Sequence, residues 1–217
     1  MTDTLLQRVA AALVSRPLVY DLVQTLAGQA RVAERLRGAL ARVPPPRRVV
    51  DVGSAAGGFA QRLGIRPVCV DLDPRPLAAL RRRTGTAPAV AADASRLPFR
   101  DAAFDLALCV AVLHHLDDAT APRVIAELER VSAGRVLFLE PLRNDRRRVS
   151  RWLWRYDRGR HPRTRDELLA LLEPAFRVEE AVEFSVYHEY LLCRTGPRPK
   201  GAEEPPGLRE ASRRPPR

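Results

Sequence analysis

The sequence predicts an α/β fold in which a mostly parallel, seven-stranded sheet is covered by helices on both faces. Short apolar runs alternate with amphipathic stretches between residues 49 and 139, which is typical of a parallel sheet with helical crossovers. The last two apolar runs, 177–184 and 187–193, are joined by two residues, so this pair must be antiparallel. Acidic residues also stand at the ends of several runs, where α/β sheets bind ligands.

Residues 1–46 are predicted to form an N-terminal helical cap. Apolar side chains recur there at helical spacing, as at Val32, Leu36 and Leu40. The prolines at 44–46 end the helical stretch, because proline lacks an amide donor and clashes with the preceding turn. A domain at 47–195 and a tail at 196–217 follow. The tail is rich in Pro, Arg, Gly and Glu without periodicity, so we expect it to be disordered.

Five short apolar runs within the domain are the expected parallel strands. They are predicted at 49–52, 67–70, 89–91, 104–110 and 135–139. Helices are predicted between them, and one more after the sheet begins with a capping box formed by Thr164 and Glu167. The first predicted helix is short and ends near residue 64. The others are predicted at 74–83, 119–131 and 165–172.

Composition predicts a cytoplasmic protein without a metal centre. Hydrophobic residues make up 46% of the chain, enough for a core, but the longest apolar stretch, 106–113, is far shorter than the ~20 residues of a membrane span. The N-terminus has no signal-peptide pattern. The three cysteines, Cys69, Cys109 and Cys193, lie inside apolar runs and form no CxxC pair, which argues against disulfides and zinc.

The formal charge of +11 comes from a strong arginine bias, since all but one of the 37 basic residues are Arg. The sequence is also crowded with Ala and Pro, so the bias looks like base composition of the gene as much as selection for a partner. Between residues 143 and 165, however, ten Arg face only Asp145 and Asp157, and Trp152 and Trp154 are interleaved.

Three interpretations of the 143–165 segment remain open. A helix could pack its tryptophans on the core and turn its arginines outward. An interfacial helix could contact a membrane peripherally and deliver a lipid or quinone-like substrate. RNA could bind through arginine–phosphate contacts and aromatic stacking. No recognised RNA-binding module flanks the core, so nucleic acid is the least favoured partner.

The glycine-rich turn at 53–58 lies between a strand and a helix. Glycines there permit positive φ angles and a close backbone approach to a ligand, although a tight structural turn would need the same residues. Asp51 just before the turn would repel a phosphate and suit a cationic or amine-bearing ligand. No Gly-Lys-Ser/Thr follows, which excludes a phosphate-binding P-loop.

Six motifs in the right order and spacing together resemble class I S-adenosylmethionine-dependent methyltransferases. They are VVDVGSAAG at 49–57, VCVDLDP at 68–74, ADA at 92–94 with LPF at 97–99 and FDL at 104–106, VLHHL at 112–116, ELERV at 127–131 and LEP at 139–141. The resemblance covers about 49–141. It implies a Rossmann-like, doubly wound fold and methyl transfer from S-adenosylmethionine to a small-molecule acceptor by direct displacement.

The resemblance also implies the cofactor-binding residues. Asp51, Gly53 and Gly57 would hold the methionine moiety, Asp71 the two ribose hydroxyls, and Asp93 the adenine amino group. The remaining expected cofactor contacts are Ser54, Ala55, Leu72, Ala94 and Val110. Asp73 is expected to cap the following helix rather than bind ligand.

Ala55 departs from the family pattern, which usually has a middle glycine at this position. A methyl group there could crowd the ligand or only tilt the loop. The departure keeps open a catalytically silent methyltransferase fold that binds a partner as a scaffold. Asp71 and Asp93 argue for the enzyme, because a silent fold has no use for two aligned carboxylates at strand ends.

The candidate acceptor-side residues follow the fourth strand or lie outside the motifs. His114 and His115 could touch the substrate or act as a base, or they could be loop histidines that shape the pocket floor. Further candidates for substrate contact, each with packing as its alternative, are Tyr20, Trp152, Glu183, Tyr187, His188 and Glu189. Neither the acceptor atom nor the oligomeric state follows from the sequence.

Overall fold

The computed structural model of the chain describes residues 29–55, 58–85, 87–143, 160–186 and 189–198. Several predicted features lie outside these ranges. They are the first part of the N-terminal cap with Tyr20, Gly57, most of the arginine-rich segment with Trp152 and Trp154, the pair Tyr187 and His188, and the tail from residue 199. The tail is predicted to begin at residue 196, but Gly196 is the last residue of a strand.

Seven strands alternate with helices along the described chain. In chain order the elements are α1 (Gln29–Leu40), β1 (Val49–Val52), α2 (Gly58–Leu63), β2 (Val68–Asp71), α3 (Pro74–Thr84), β3 (Ala89–Ala91), β4 (Leu106–Val110), a 3₁₀ turn (Leu113–His115), α4 (Ala121–Ser132), β5 (Val136–Leu142), α5 (Arg165–Leu172), β6 (Arg177–Ser185) and β7 (Glu189–Gly196).

The predicted doubly wound sheet is confirmed. Its strand order is β3-β2-β1-β4-β5-β7-β6, with β1 to β5 parallel and β7 antiparallel to both of its neighbours. The chain moves outward in one direction from β1 to β3 and then restarts beside β1 with β4. The carboxyl ends of β1 and β4 therefore form the topological switch point, where a crevice opens in sheets of this kind.

Five of the described strands differ from the predicted boundaries, and in the parallel part of the sheet β4 and β5 do so by two or three residues. β4 begins at Leu106 rather than at residue 104, because the Phe104 amide bonds to Val131 O and the Asp105 carboxylate accepts the amides of Arg47 and Arg48. β5 runs to Leu142 rather than to residue 139, because β7 pairs with its last residues in antiparallel register. Neither difference changes the order of the sheet.

The helices form two layers on the sheet. α1 and α2 pack on one face through an apolar cluster that includes Leu36 and Leu63 together with Leu108 of β4. α4 and α5 cover the opposite face through a cluster that includes Leu128 and Leu168. The three cysteines are buried and free, as predicted. No helix in the described ranges is long and apolar enough to cross a membrane.

Charge is distributed unequally between the helices. α1, α2 and α3 together contain eight arginines and one acidic residue, Glu34. α4 and α5 contain three arginines and four acidic residues. A bias in base composition would enrich all helices in arginine alike. The excess of arginine in α1, α2 and α3 is therefore not explained by base composition alone.

Helix caps follow the local sequence signals. Asp73 is the N-cap of α3 and accepts the Arg75 amide at 2.9 Å, as predicted. Thr164 and Glu167 form the predicted capping box of α5 through reciprocal bonds of 3.3 and 2.7 Å. These caps place the preceding loops, including the residues between β2 and α3 that border the switch point.

We expect Leu36→Ala to destabilise the protein by about 2–5 kcal/mol, because this fully buried side chain joins α1 to the sheet. Gly38→Ala on the same helix is the control. A Cβ at Gly38 meets nothing within 4 Å, so this change should add about 0.5–1 kcal/mol through helix propensity. Urea unfolding measures both, and equal effects of the two changes would show that α1 does not dock as described.

Candidate ligand-binding site at the switch point

A cavity of about 620 Å³ lies at the carboxyl ends of β1, β2 and β4. Its volume falls within the range of small-molecule and cofactor sites. Its lining comes from the loops that follow these strands, from the residues after β3 and from the start of α4. The lining residues are Gly53, Ser54, Ala55, Phe59, Val70, Asp71, Leu72, Ala92, Asp93, Ala94, Val110, Ala111, Val112, His115, Leu116, Thr120 and Val124.

The glycine-rich turn is tied to the end of β2. The amides of Gly53 and Ser54 both donate to Val70 O, at 2.8 and 3.0 Å. Gly53 has φ +73°, and a Cβ built on it would overlap the Val112 side chain across the cavity wall. Glycine is therefore required at this position for conformation and for space.

Ala55 continues the turn in the left-handed region, with φ 46°. Its amide donates to Asp71 Oδ2 at 2.8 Å, and its side chain is exposed at the cavity. A glycine would take the same conformation without the steric cost of roughly 1–2 kcal/mol. The alanine thus keeps the backbone shape that the family pattern usually obtains with glycine.

Asp71 holds the turn and still faces the cavity. Its Oδ2 accepts the Ala55 amide, and its Oδ1 accepts the Asp73 amide at 3.0 Å. Because each carboxylate oxygen has about two acceptor positions, one on each oxygen remains for a ligand. The next residue, Leu72, is 74% exposed and lines the same cavity, so it offers an apolar surface to a ligand.

Asp93 presents one oxygen to the cavity. Its Oδ1 accepts both the amide and the hydroxyl of Ser95 at 2.8 Å, and these bonds hold the pKa of the carboxyl below its usual range. Among the described residues, none donates a hydrogen bond to Oδ2. An ionised carboxylate with an oxygen to spare suits an amino-group donor.

Asp51 differs from the other strand-end acids because it is buried within β1, 4% exposed, and is not part of the cavity lining. Burial, and secondly the charge of Asp71, raise its pKa to about 7. A nearby cation would oppose both effects and favour the ionised form.

The two adjacent histidines have different environments. His115 is exposed and lines the cavity. His114 is 5% exposed and forms a buried pair with Glu140, in which His114 Nδ1 lies 2.9 Å from Glu140 Oε2. Only His115 is therefore placed to meet a ligand in this cavity.

Most of the predicted cofactor residues meet at this one cavity. Those that line it are Gly53, Ser54, Ala55, Asp71, Leu72, Asp93, Ala94 and Val110. Sequence reasoning did not name several apolar or small lining residues, although Ala92, Val112 and Leu116 lie within the quoted motifs: Phe59, Ala92, Ala111, Val112, Leu116, Thr120 and Val124. Their position just after strand ends, or in the first turn of the next helix, was the available signal.

Three of the four described arginines of the 143–165 segment bind protein groups. Arg143 contacts Glu167 at 3.0 Å and Arg163 contacts Asp118 at 2.7 Å. Arg165 contacts Glu183 at 2.9 Å, so this candidate pocket residue is engaged in an ion pair and does not line the cavity. These contacts are structural, and the open question about the tryptophans lies outside the described residues.

A second cavity, of about 440 Å³, lies between α2 and α3 beside the start of β2. None of the described residues that line it carries a carboxylate, and their polar side chains are Arg66, Cys69 and Thr84. Among the described residues, no group of three or more His, Cys, Asp or Glu side chains is arranged to hold a metal ion. The carboxylate-bearing cavity at the switch point is thus the better candidate for a functional site.

Comparison with known proteins finds a family model and a relative that match part of this chain. The model of the methyltransferase domain family matches residues 50–138. Malonyl-[acyl-carrier protein] O-methyltransferase of Geobacter sulfurreducens is 36% identical over 126 residues, which are 54% of this chain and 46% of that protein. The chain therefore matches about half the length of this relative.

Solved structures share the fold over most of their length. The N-methyltransferase NodS of Bradyrhizobium japonicum, in complex with S-adenosylhomocysteine, has a TM-score of 0.64 at 19% identity and covers 87% of this chain and 96% of its own. The 1,6-didemethyltoxoflavin-N1-methyltransferase of Burkholderia thailandensis, with its substrate and S-adenosylhomocysteine, has a TM-score of 0.62 at 21% identity, with coverages of 88% and 90%.

The raised pKa of Asp51 predicts a specific pH dependence of stability. The unfolded carboxyl ionises near 3.8 and the folded one near 7, so between these values the folded state binds more protons and stability falls as pH rises. Between pH 5 and pH 8 the wild type should lose about 2–3 kcal/mol relative to Asp51→Asn, and the difference should be constant above pH 8. Urea unfolding across this range measures it, and parallel curves for the two proteins would contradict the prediction.

Proposed function

Residues 50–138 belong to a class I S-adenosylmethionine-dependent methyltransferase domain, and on this premise we propose that the chain transfers a methyl group from S-adenosylmethionine to a small-molecule acceptor. The observation that carries the proposal is the pair Asp71 and Asp93. Both carboxylates line one cavity at the switch point, and both retain acceptor capacity after their bonds to the protein.

The residues present fit the cofactor. In our proposal Asp71 accepts the two ribose hydroxyls and Asp93 accepts the adenine amino group, while the exposed Leu72 packs on the base. The turn at Gly53 allows the backbone to approach the methionine moiety, and Asp51 provides negative potential below it. The bound cofactor supplies a methyl group activated by a sulfonium.

The chain has mainly to align the reactants, because direct displacement needs the nucleophile in line with the methyl group. His115 is the titratable side chain that the β4–α4 loop contributes to the cavity lining. We assign it contact with the acceptor, and proton removal where the acceptor must lose a proton on transfer. The apolar residues Val112 and Leu116 beside it limit access of water.

The acceptor class is part of the proposal. The Burkholderia neighbour is named for a free small molecule, and the Geobacter relative for an acyl group on a carrier protein. The cavity is concave, and most of its lining is apolar, which favours a compact acceptor held beside the cofactor. Transfer of radiolabel from S-adenosylmethionine into small-molecule or protein fractions of a cell extract distinguishes these sources.

We expect isothermal titration calorimetry to show S-adenosylhomocysteine binding that Asp71→Asn weakens roughly ten- to hundredfold. The amide has one acceptor oxygen where the carboxylate has two, so charged hydrogen bonds worth about 1.5–3 kcal/mol are lost. Asp73→Asn is the matched control, since it makes the same change two residues away, outside the cavity and at an N-cap where Asn is also favourable. Equal loss in both variants, or no binding by wild type, would contradict the cofactor assignment.

A second titration separates the enzyme from the catalytically silent fold. We expect Ala55→Gly to bind S-adenosylhomocysteine within about threefold of wild type, because the backbone and the Ala55–Asp71 bond already have the required form. If the methyl group closed the site, wild type would fail to bind and Ala55→Gly would bind well. That result would favour the scaffold.

A further inference from the structure

The loop between β4 and α4, which carries His115, is held by a buried carboxylate from β5. Glu140 is 2% exposed. Its Oε1 accepts the amides of Val112 and Leu113, both at 2.8 Å, and its Oε2 accepts the His114 amide at 3.3 Å. Three consecutive amides of one turn thus converge on one side chain.

An arginine from beyond β5 holds the carbonyl groups of the same turn. Arg163 Nη1 donates to Leu113 O at 2.8 Å, and its Nη2 donates to Leu116 O at 3.0 Å and to Asp118 at 2.7 Å. The guanidinium is buried, with 10% of the side chain exposed. Glu140 therefore binds the amides, and Arg163 the carbonyl oxygens, of a single 3₁₀ turn and its flanking residues.

The imidazole of His114 connects these hydrogen bonds to the cavity. Its Nδ1 lies 2.9 Å from Glu140 Oε2, within hydrogen-bond distance. Its ring contacts the His115 ring in a tilted arrangement, with centroids 4.0 Å apart and planes inclined by 39°. The orientation of His115 is thus linked through His114 to Glu140.

The environment of these groups excludes a separate ligand site. Glu140, His114, His161 and Arg163 border a void of about 10 Å³, which has room for one water at most. Burial of ionic side chains is costly unless each is paired and hydrogen-bonded. Here that cost is offset by bonds to one turn, so the turn has a single favoured position.

We propose that Glu140 and Arg163 are positioning residues that hold the His115 imidazole at the acceptor side of the cavity. The placement follows from the described contacts, and its use in methyl transfer rests on the proposed function. Both residues act through the 3₁₀ turn and His114, and neither lines the cavity.

Nuclear magnetic resonance of ¹³C,¹⁵N-histidine-labelled protein tests this proposal, with ring signals assigned by His114→Gln and His115→Gln. In wild type the ring current of His114 should change the chemical shifts of the His115 ring protons. Glu140→Gln and Arg163→Lys should each move these signals toward the values of unstructured histidine. Glu183→Gln and Arg165→Lys change the same residue types in an ion pair away from the turn and should leave the His115 signals unchanged.

Calorimetry with S-adenosylhomocysteine on the same samples separates this proposal from the proposed function. Affinity should stay within about threefold in Arg163→Lys, since the cofactor residues are untouched. Wild type that fails to bind S-adenosylhomocysteine would count against the methyltransferase and leave the histidine result standing. Unchanged His115 signals in Arg163→Lys, with or without a loss of thermal stability, would overturn the positioning role. That variant also decides the matter if Glu140→Gln fails to fold.

Discussion

The site depends on one recurring interaction, in which a carboxylate at a strand end accepts backbone amides of a neighbouring loop. Asp71 accepts the amides of Ala55 and Asp73, Asp93 accepts that of Ser95, and Glu140 accepts three amides of the 3₁₀ turn. Each bond satisfies an amide that would otherwise lack a partner near the sheet edge, and it keeps the carboxylate in place. The loops around the cavity are therefore shaped by the same acids that give it negative potential.

These carboxylates divide into two kinds according to what remains after the amides are satisfied. Asp71 and Asp93 lie at the cavity and keep acceptor positions for a ligand, whereas Glu140 uses both oxygens within the protein. The sequence alone shows four acids at strand ends and gives no means of separating these uses. The partners of Glu140 lie 26 to 28 residues earlier in the chain, so only the folded sheet brings them together.

Local signals predicted the fold well, because most of its elements are encoded by adjacent residues. The buried runs of the parallel strands, the Asp73 cap and the Thr164 capping box each depend on a few neighbouring side chains. The choice between His114 and His115 could not be predicted, since successive residues of a 3₁₀ turn point about 120° apart and either could face the cavity. Arg163 was equally hidden, because its partners lie 45 to 50 residues away and its own segment indicates only positive charge.

Asp51 differs from the other strand-end acids because it is buried and has a raised pKa. Burial raises the pKa of Asp51, and the negative charge of Asp71 raises it further. Among the described residues, no cation offsets these two effects. Near neutral pH such a carboxyl is divided between its protonated and ionised forms, and an approaching cation shifts the balance toward ionisation. A ligand that carries a positive charge thus gains an interaction that a neutral or anionic ligand does not. The acid that destabilises the fold at high pH is, by the same physics, the group that in our proposal favours a cationic ligand.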